Sequence, residues 1–255
     1  QTTRHQIVGI YSDENTQIVF LDTPGVITPK YELQKAMMKT VDRAKRDADL
    51  ILFIHDPTDT HPADDVVKLI QSINKPIYLV VNKMDMASRD KAEKSVAELQ
   101  DKMKIRSVNY VSATQGNGIP ELIEEIRAGL LPGPPFYPKE DLSEQPVRFF
   151  VSELIREQIF LQFHQEIPYS CTVEVISYDA DVDIDRINAD IIVNQKSQKG
   201  MLIGKGGTAI KELGIKARES IEEFIGKQVY LELHVKVREK WREKEGWVRN
   251  LGYGK

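Results

Sequence analysis

Cysteine is nearly absent from this chain. Of 255 residues only Cys171 is one, so no internal disulfide can form and a reducing compartment follows. The lone thiol reads as a small core residue on a strand, not as a nucleophile. Long apolar runs are also missing. No stretch of about 18 consecutive apolar residues occurs, which leaves no candidate for a membrane-spanning helix, although peripheral membrane contact stays open. Positive charge is not in excess. With 35 Lys and Arg against 39 Asp and Glu, the net charge is −4, which excludes a generally polycationic nucleic-acid binder and makes any attraction to a polyanion local. The histidines, among them His55 and His61, show no metal-ligand spacing and read as structural. The visible N-terminus does not read as a signal or transit peptide, although trimming of the chain would remove such a segment from view.

What the chain does carry is an ordered pair of short motifs, Asp22-Thr23-Pro24-Gly25 and Asn82-Lys83-Met84-Asp85. An Asp closing the apolar run Ile18-Val19-Phe20-Leu21 can hold Mg²⁺ through water, and a glycine three residues on frees a backbone N–H to approach a terminal phosphate. The Asp85 carboxylate can accept two parallel hydrogen bonds from the N1–H and exocyclic amine of guanine, a pattern adenine does not offer. Asn82 can bridge base and loop, and the stem of Lys83 can lie over the purine face. Asn82 follows the continuous apolar run Pro76 to Val81, as expected of a parallel strand buried on both faces, whose carboxyl end is where such sheets bind ligands. Ser112-Ala113 closes another strand, and its backbone N–H could meet the guanine O6. Together these residues read as a guanine-nucleotide site.

The order of elements agrees. A hairpin (Ile7 to Tyr11, Gln17 to Leu21) is followed by helical patterns at Tyr31 to Arg46, Pro62 to Ile73, Ser88 to Met103 and Ile119 to Leu130. They alternate with strands at Leu50 to His55, Ile77 to Val81 and Val108 to Val111, the signature of an α/β sheet with helices on both faces. Four prolines between Pro132 and Pro138 then end the pattern. We expect a GTP-binding domain over 1–131, a semi-rigid linker over 132–147 and an RNA-binding domain over 148–255. In the last, a helix (Val151 to Gln165), two strands (Thr172 to Ser177, Ile187 to Val193), paired helices (Lys199 to Ile225) and a final strand (Val229 to Val237) surround Gly204-Lys205-Gly206-Gly207. A G-x-x-G loop between two helices lets the backbone approach sugar–phosphate closely, and the second helix's N-terminus adds free N–H donors. Charge supports it: Lys196 to Arg218 holds six Lys or Arg against Glu212 alone, whereas Glu174 to Asp190 holds six acids against Arg186. Lys211 belongs to this basic stripe. In the tail, Trp241, Trp247 and Tyr253 among many cations could stack unpaired bases or simply pin a C-terminal segment to its domain.

On these motifs the chain resembles the Era-type GTPases over nearly its whole length. The resemblance implies a P-loop-type α/β G domain with a mostly parallel sheet, followed by an α+β type II KH domain. It also implies a likeness of Gln1-Thr2-Thr3-Arg4-His5 to the first switch, in which Thr3, with Thr2 as the alternative, completes the Mg²⁺ shell. The expected ligands are GTP or GDP and Mg²⁺. The expected partners are small-subunit ribosomal RNA near its 3′ end and the small ribosomal subunit whose assembly is assisted, with the protein monomeric. The expected location is a bacterial cytoplasm, mitochondrial matrix or chloroplast stroma. Two departures stand out. Val26 follows Gly25 where Ras-type enzymes place a water-orienting Gln, so no general base is assigned. And G-x-x-x-x-G-K-[ST], which cradles the phosphates, occurs nowhere. Either the chain is a trimmed portion beginning inside the G domain, which is the expectation and makes residues 1–255 alone inactive, or it is a non-hydrolysing RNA-binding scaffold with a degenerate G domain.

Overall fold

The computed structural model describes residues 3–58 and 64–254. Thr2, His61 and the Pro62 start of a helix, all named above, lie outside the described residues. The chain divides into two compact units, one made of Gln6–Thr28 and Met38–Ser143, the other of Gln1–His5, Pro29–Met37 and Glu144–Lys255.

In the first unit, strands β1 (Ile7–Ser12) and β2 (Gln17–Asp22) form an antiparallel hairpin with Ile7 opposite Asp22 and Ser12 opposite Gln17. Asp13 builds its turn by accepting hydrogen bonds from the backbone N–H groups of Asn15 and Thr16, the local bonding that makes Asp a turn residue. A separate parallel sheet has the order β3 (Ile51–His55), β4 (Ile77–Val81), β5 (Ser107–Tyr110). In chain order α1 (Glu32–Asp47) comes between hairpin and sheet, with only its residues from Met38 onward counted in this unit; between β3 and β4 runs α2 (Asp64–Gln71), between β4 and β5 runs α3 (Arg89–Lys102), and α4 (Ile119–Ala128) follows β5.

Every residue of the central strand β4 is buried, and the two-residue period of a strand divides its side chains between two cores. Ile77, Leu79 and Val81 pack with Val67, Ile70, Val96 and Leu99 of α2 and α3. Tyr78 and Val80 pack with Ile18, Val111, Leu122 and Ile126. Parallel strands joined by helices all end at one edge, which brings the loops after β3, β4 and β5 together.

The segment expected to be a linker departs from that reading between Phe136 and Ser143. The Gln17 side chain accepts from the N–H groups of Phe136 and Tyr137 and donates to the Tyr137 carbonyl, while Ile10 N–H donates to Leu142 O at 2.8 Å. A two-stranded hairpin has unpaired backbone groups along its edges, and this segment satisfies some of those on β1.

In the second unit, helices α5 (Val147–Gln162) and α6 (Ile167–Ser170) precede strands β6 (Thr172–Asp179) and β7 (Ile184–Val193). Then come α7 (Lys196–Ile203), α8 (Thr208–Ile225), β8 (Gln228–Val237) and α9 (Glu245–Asn250). β7 lies between antiparallel β6 and parallel β8. Val151, Ile155 and Ile159 on α5, and Leu213, Ala217 and Ile221 on α8, each spaced four apart, bury completely against Ile187, Ala189 and Ile191, with each Val, Leu or Ile side chain contributing about 1.5–3 kcal/mol by leaving water. Cys171 is buried but caps α6 one residue before β6 instead of lying on a strand. Burial pushes its thiol pKa up, away from nucleophilic use.

Candidate guanine-nucleotide and RNA sites

Asn82 and Asp85 follow β4, and Ser112 and Ala113 follow β5; the structure ties these two loops to each other. The Ser112 hydroxyl donates to Asp85 Oδ1 at 2.6 Å, and the Ala113 N–H donates to Asn82 Oδ1 at 3.0 Å. Backbone bonds lock the frame: Asn82 N–H to His55 O, Met84 N–H to Val111 O, and Ser112 N–H to Asn117 O. Asp85 and Ala113 are exposed while Ser112 is buried. A carboxylate with one oxygen anchored by a buried hydroxyl and held at an exposed loop is a rigid double acceptor, as guanine recognition requires.

Asp22 ends β2 and is exposed, Thr23 is half-buried, Pro24 is buried and Gly25 is exposed with open space around the position of a Cβ; Val26 is half-buried. Among the described residues no group of three or more His, Cys, Asp or Glu could hold a metal ion. A single exposed carboxylate fits Mg²⁺ that keeps several waters and leans on substrate phosphates, and does not fit an ion stripped of water. Thr3 belongs to the second unit, where it precedes Arg4 and His5.

The G-x-x-G loop joins α7 to α8. Gly204 (φ 73°), Gly206 (φ 62°) and Gly207 (φ 80°) are all left-handed, and Lys205 and Lys211 are exposed. The glycines differ in what they require. A Cβ on Gly204 would meet the Ala209 Cβ at 2.7 Å, whereas one on Gly206 or Gly207 would meet nothing within 4 Å. Gly204 therefore permits the helices to close on each other, and Gly206 and Gly207 keep the loop surface bare. The N-terminal turn of α8 presents its amides there. Of the tail aromatics, Trp241 is fully buried with its Nε1–H on Ser170 O at 3.0 Å, Tyr253 is buried, and Trp247 is half-buried with the Arg238 guanidinium 5.1 Å from its ring. The pinning alternative holds for Trp241 and Tyr253.

Three features escaped the sequence. Asp56, the residue after β3, pairs with Lys83; a carboxylate closing an apolar strand, the cue used for Asp22, would have pointed to it. Gly118 (φ 75°) starts α4 so tightly that a Cβ would lie 2.4 Å from Tyr110 O, closing the Ser112 loop. Arg4 is buried and donates to the carbonyls of Cys171 and Pro168, which no local pattern announces. Histidine roles come out as read for His55, whose Nε2 is 2.5 Å from Ser95 Oγ in the interior.

Two family models match the chain, one described as a 50S ribosome-binding GTPase over residues 1–83 and one as a KH domain over residues 166–242. The chain is 42% identical over 250 residues to the GTPase Era of Thermotoga maritima, covering 96% of this chain and 83% of that protein. It is 42% identical over 260 residues to a chloroplastic ERA-like GTPase of Arabidopsis thaliana, covering 100% of this chain and 61% of that one. Among solved structures, that of Aquifex aeolicus Era bound to GDP·AlF4⁻ superposes with a TM-score of 0.93 at 31% identity, over all of this chain and 88% of that one. A structure of Era in complex with MgGDPNP and nucleotides 1506–1542 of 16S ribosomal RNA also gives a TM-score of 0.93, at 32% identity over the same shares.

Proposed function

The chain belongs to the Era family of GTPases, and from that premise we propose that it binds and hydrolyses GTP at the loops ending β2, β4 and β5, binds small-subunit ribosomal RNA near its 3′ end through Gly204-Lys205-Gly206-Gly207 and Lys211, and assists small-subunit assembly under nucleotide control. The observation that carries this is the hydrogen-bonded constellation of Asn82, Asp85, Ser112 and Ala113 in one chain with a G-x-x-G loop between two helices. Asp85 accepts from guanine N1–H and the 2-amino group, the Ser112-Ala113 backbone meets O6, Asn82 holds the two loops in register, and Lys83 covers the ring. Asp22 would hold Mg²⁺ through water, and the Gly25 N–H would face the terminal phosphate. Mg²⁺, when bound, would supply positive charge against the negative charge of the phosphates. Val26 has no polar side-chain atom with which to orient water, so hydrolysis depends on groups other than the residue after Gly25. The lone buried Cys171 supports a reducing compartment, a bacterial cytoplasm or an organelle interior. No helix among the described residues is long and apolar enough to cross a membrane.

The test uses the full-length protein. A fluorescent guanine nucleotide should be displaced by GTP and GDP and not by ATP, and a single-stranded oligonucleotide from the 3′ end of small-subunit RNA should bind more tightly with a non-hydrolysable GTP analogue than without nucleotide. Displacement by ATP at the same concentration as GTP, or RNA affinity indifferent to nucleotide, overturns the reading.

A further inference from the structure

Lys83 is one of three described non-glycine residues with positive φ, at 62°. A side chain in that region costs about 1 kcal/mol or more, so something must hold it there. The backbone on either side is held, by the Asn82 N–H on His55 O at 2.8 Å, the Met84 N–H on Val111 O at 3.1 Å and the Met86 N–H on Lys83 O at 2.9 Å. The side chain is held by Asp56, whose Oδ2 lies 2.7 Å from Lys83 Nζ. Asp56 is itself fixed from the other oxygen, since Oδ1 accepts from the Thr58 N–H at 2.8 Å and the Thr58 hydroxyl at 2.6 Å. The bonds from Lys83 and Thr58 hold the carboxyl at a pKa of about 2, so Asp56 meets Lys83 as a carboxylate throughout the physiological range.

We propose that Asp56 is a positioning residue for guanine recognition, which through Lys83 fixes the left-handed turn between Asn82 and Asp85 and so sets the geometry of both. The pair joins the ends of β3 and β4, as Ser112 and Ala113 join the ends of β4 and β5, and the base-reading loop is thereby clamped from both neighbouring strands. With its ammonium occupied by Asp56, Lys83 offers the purine its alkyl stem, and its charge is spent on holding the loop. The inference rests on the guanine-nucleotide reading above.

The experiment is a double-mutant cycle on the full-length protein, with Kd and dissociation rate measured for a fluorescent GDP. Asp56→Asn should raise Kd about fivefold, mostly through faster dissociation, as expected for loss of a half-exposed ion pair. In a Lys83→Met background, the same change should have less than about twofold effect, because its partner is gone. Thr58→Val, which removes the hydroxyl on Asp56 Oδ1, gives a milder test that does not depend on Asp56→Asn folding; it should raise Kd about twofold, again only when Lys83 is present. RNA affinity without nucleotide should not change in any variant. An equal loss in both backgrounds, or no loss in Asp56→Asn and Thr58→Val, overturns the proposal. Failure of the wild type to bind guanine nucleotide would instead overturn the functional reading beneath it.

Discussion

The imidazole of His5 lies flat against the ring of Tyr253, with centroids 4.3 Å apart and planes 18° from parallel. Phe149 meets the same imidazole edge-on at 5.5 Å, and the Tyr253 hydroxyl bonds Thr172 Oγ1 at 2.7 Å. A residue from the start of the chain is therefore part of the aromatic core of the second unit. Burial lowers the His5 pKa to about 4, with Glu153 opposing and Arg156 and Arg4 reinforcing the shift.

That shift has a direction in stability. The folded unit keeps His5 neutral, while the unfolded chain takes up a proton below about pH 6.5. The unfolded state thus binds more protons between pH 6.5 and 4, and stability is full above that window and falls as pH drops through it, by at most about 3 kcal/mol. His5→Phe keeps a ring in the stack without a titrating group. Denaturation measured at pH 7, 5.5 and 4.5 should show a smaller loss in the variant than in the wild type; parallel profiles would show that His5 takes up its proton as readily in the folded state as in the unfolded one.

Asp85→Asn leaves an oxygen to accept from Ser112 but removes the second acceptor that the proposed site offers to guanine. GTP affinity should fall by about two orders of magnitude, as expected for losing charge-assisted bonds to two N–H groups. A xanthine nucleotide, whose 2-carbonyl accepts from the new amide, should bind better than GTP. Competition binding with both nucleotides checks it, and unchanged GTP preference would remove Asp85 from the base site.

In the G-x-x-G loop, two substitutions should separate surface from packing. Gly206→Asp finds open space and Asp tolerates left-handed backbone, so the fold should lose only about 1 kcal/mol while RNA affinity drops strongly from charge and bulk at the phosphate approach. Gly204→Ala drives a methyl against Ala209 and should lower the unfolding midpoint of the domain first. Lys205→Ala should weaken RNA binding modestly and reduce the salt slope by about one. Filter binding at several salt concentrations together with thermal unfolding distinguishes the three; wild-type RNA affinity in Gly206→Asp would make the loop a turn and nothing more.

The two tail tryptophans should behave differently. Trp241→Ala empties a fully buried site and strands the Ser170 carbonyl, at a cost of about 3–5 kcal/mol. Trp247→Ala removes a half-buried ring and its contact with Arg238, costing about 1 kcal/mol. Chemical denaturation of both variants checks this, and a Trp241→Ala protein as stable as wild type would contradict the packing.

The amino-acid order alone determined what depends on neighbours a few residues away. Val151, Ile155 and Ile159 announce a helix because four residues bring side chains back to one face. The uninterrupted run to Val81 announces a strand covered on both sides. The candidate base site was legible because Asn82-Lys83-Met84-Asp85 carries its donors and acceptors within one loop, and the Gly204 to Gly207 loop was legible because glycine at that density leaves the backbone bare. The tertiary structure decided what requires distant parts of the chain to meet. Ser112 reaches Asp85, Asp56 reaches Lys83, Arg4 reaches the carbonyl of Cys171, and Trp241 turns inward instead of toward a nucleic acid. Each of these is a polar or aromatic group whose partner is chosen by burial, since a donor, acceptor or charge taken out of water must find its complement wherever the fold places one, and no local periodicity encodes that meeting.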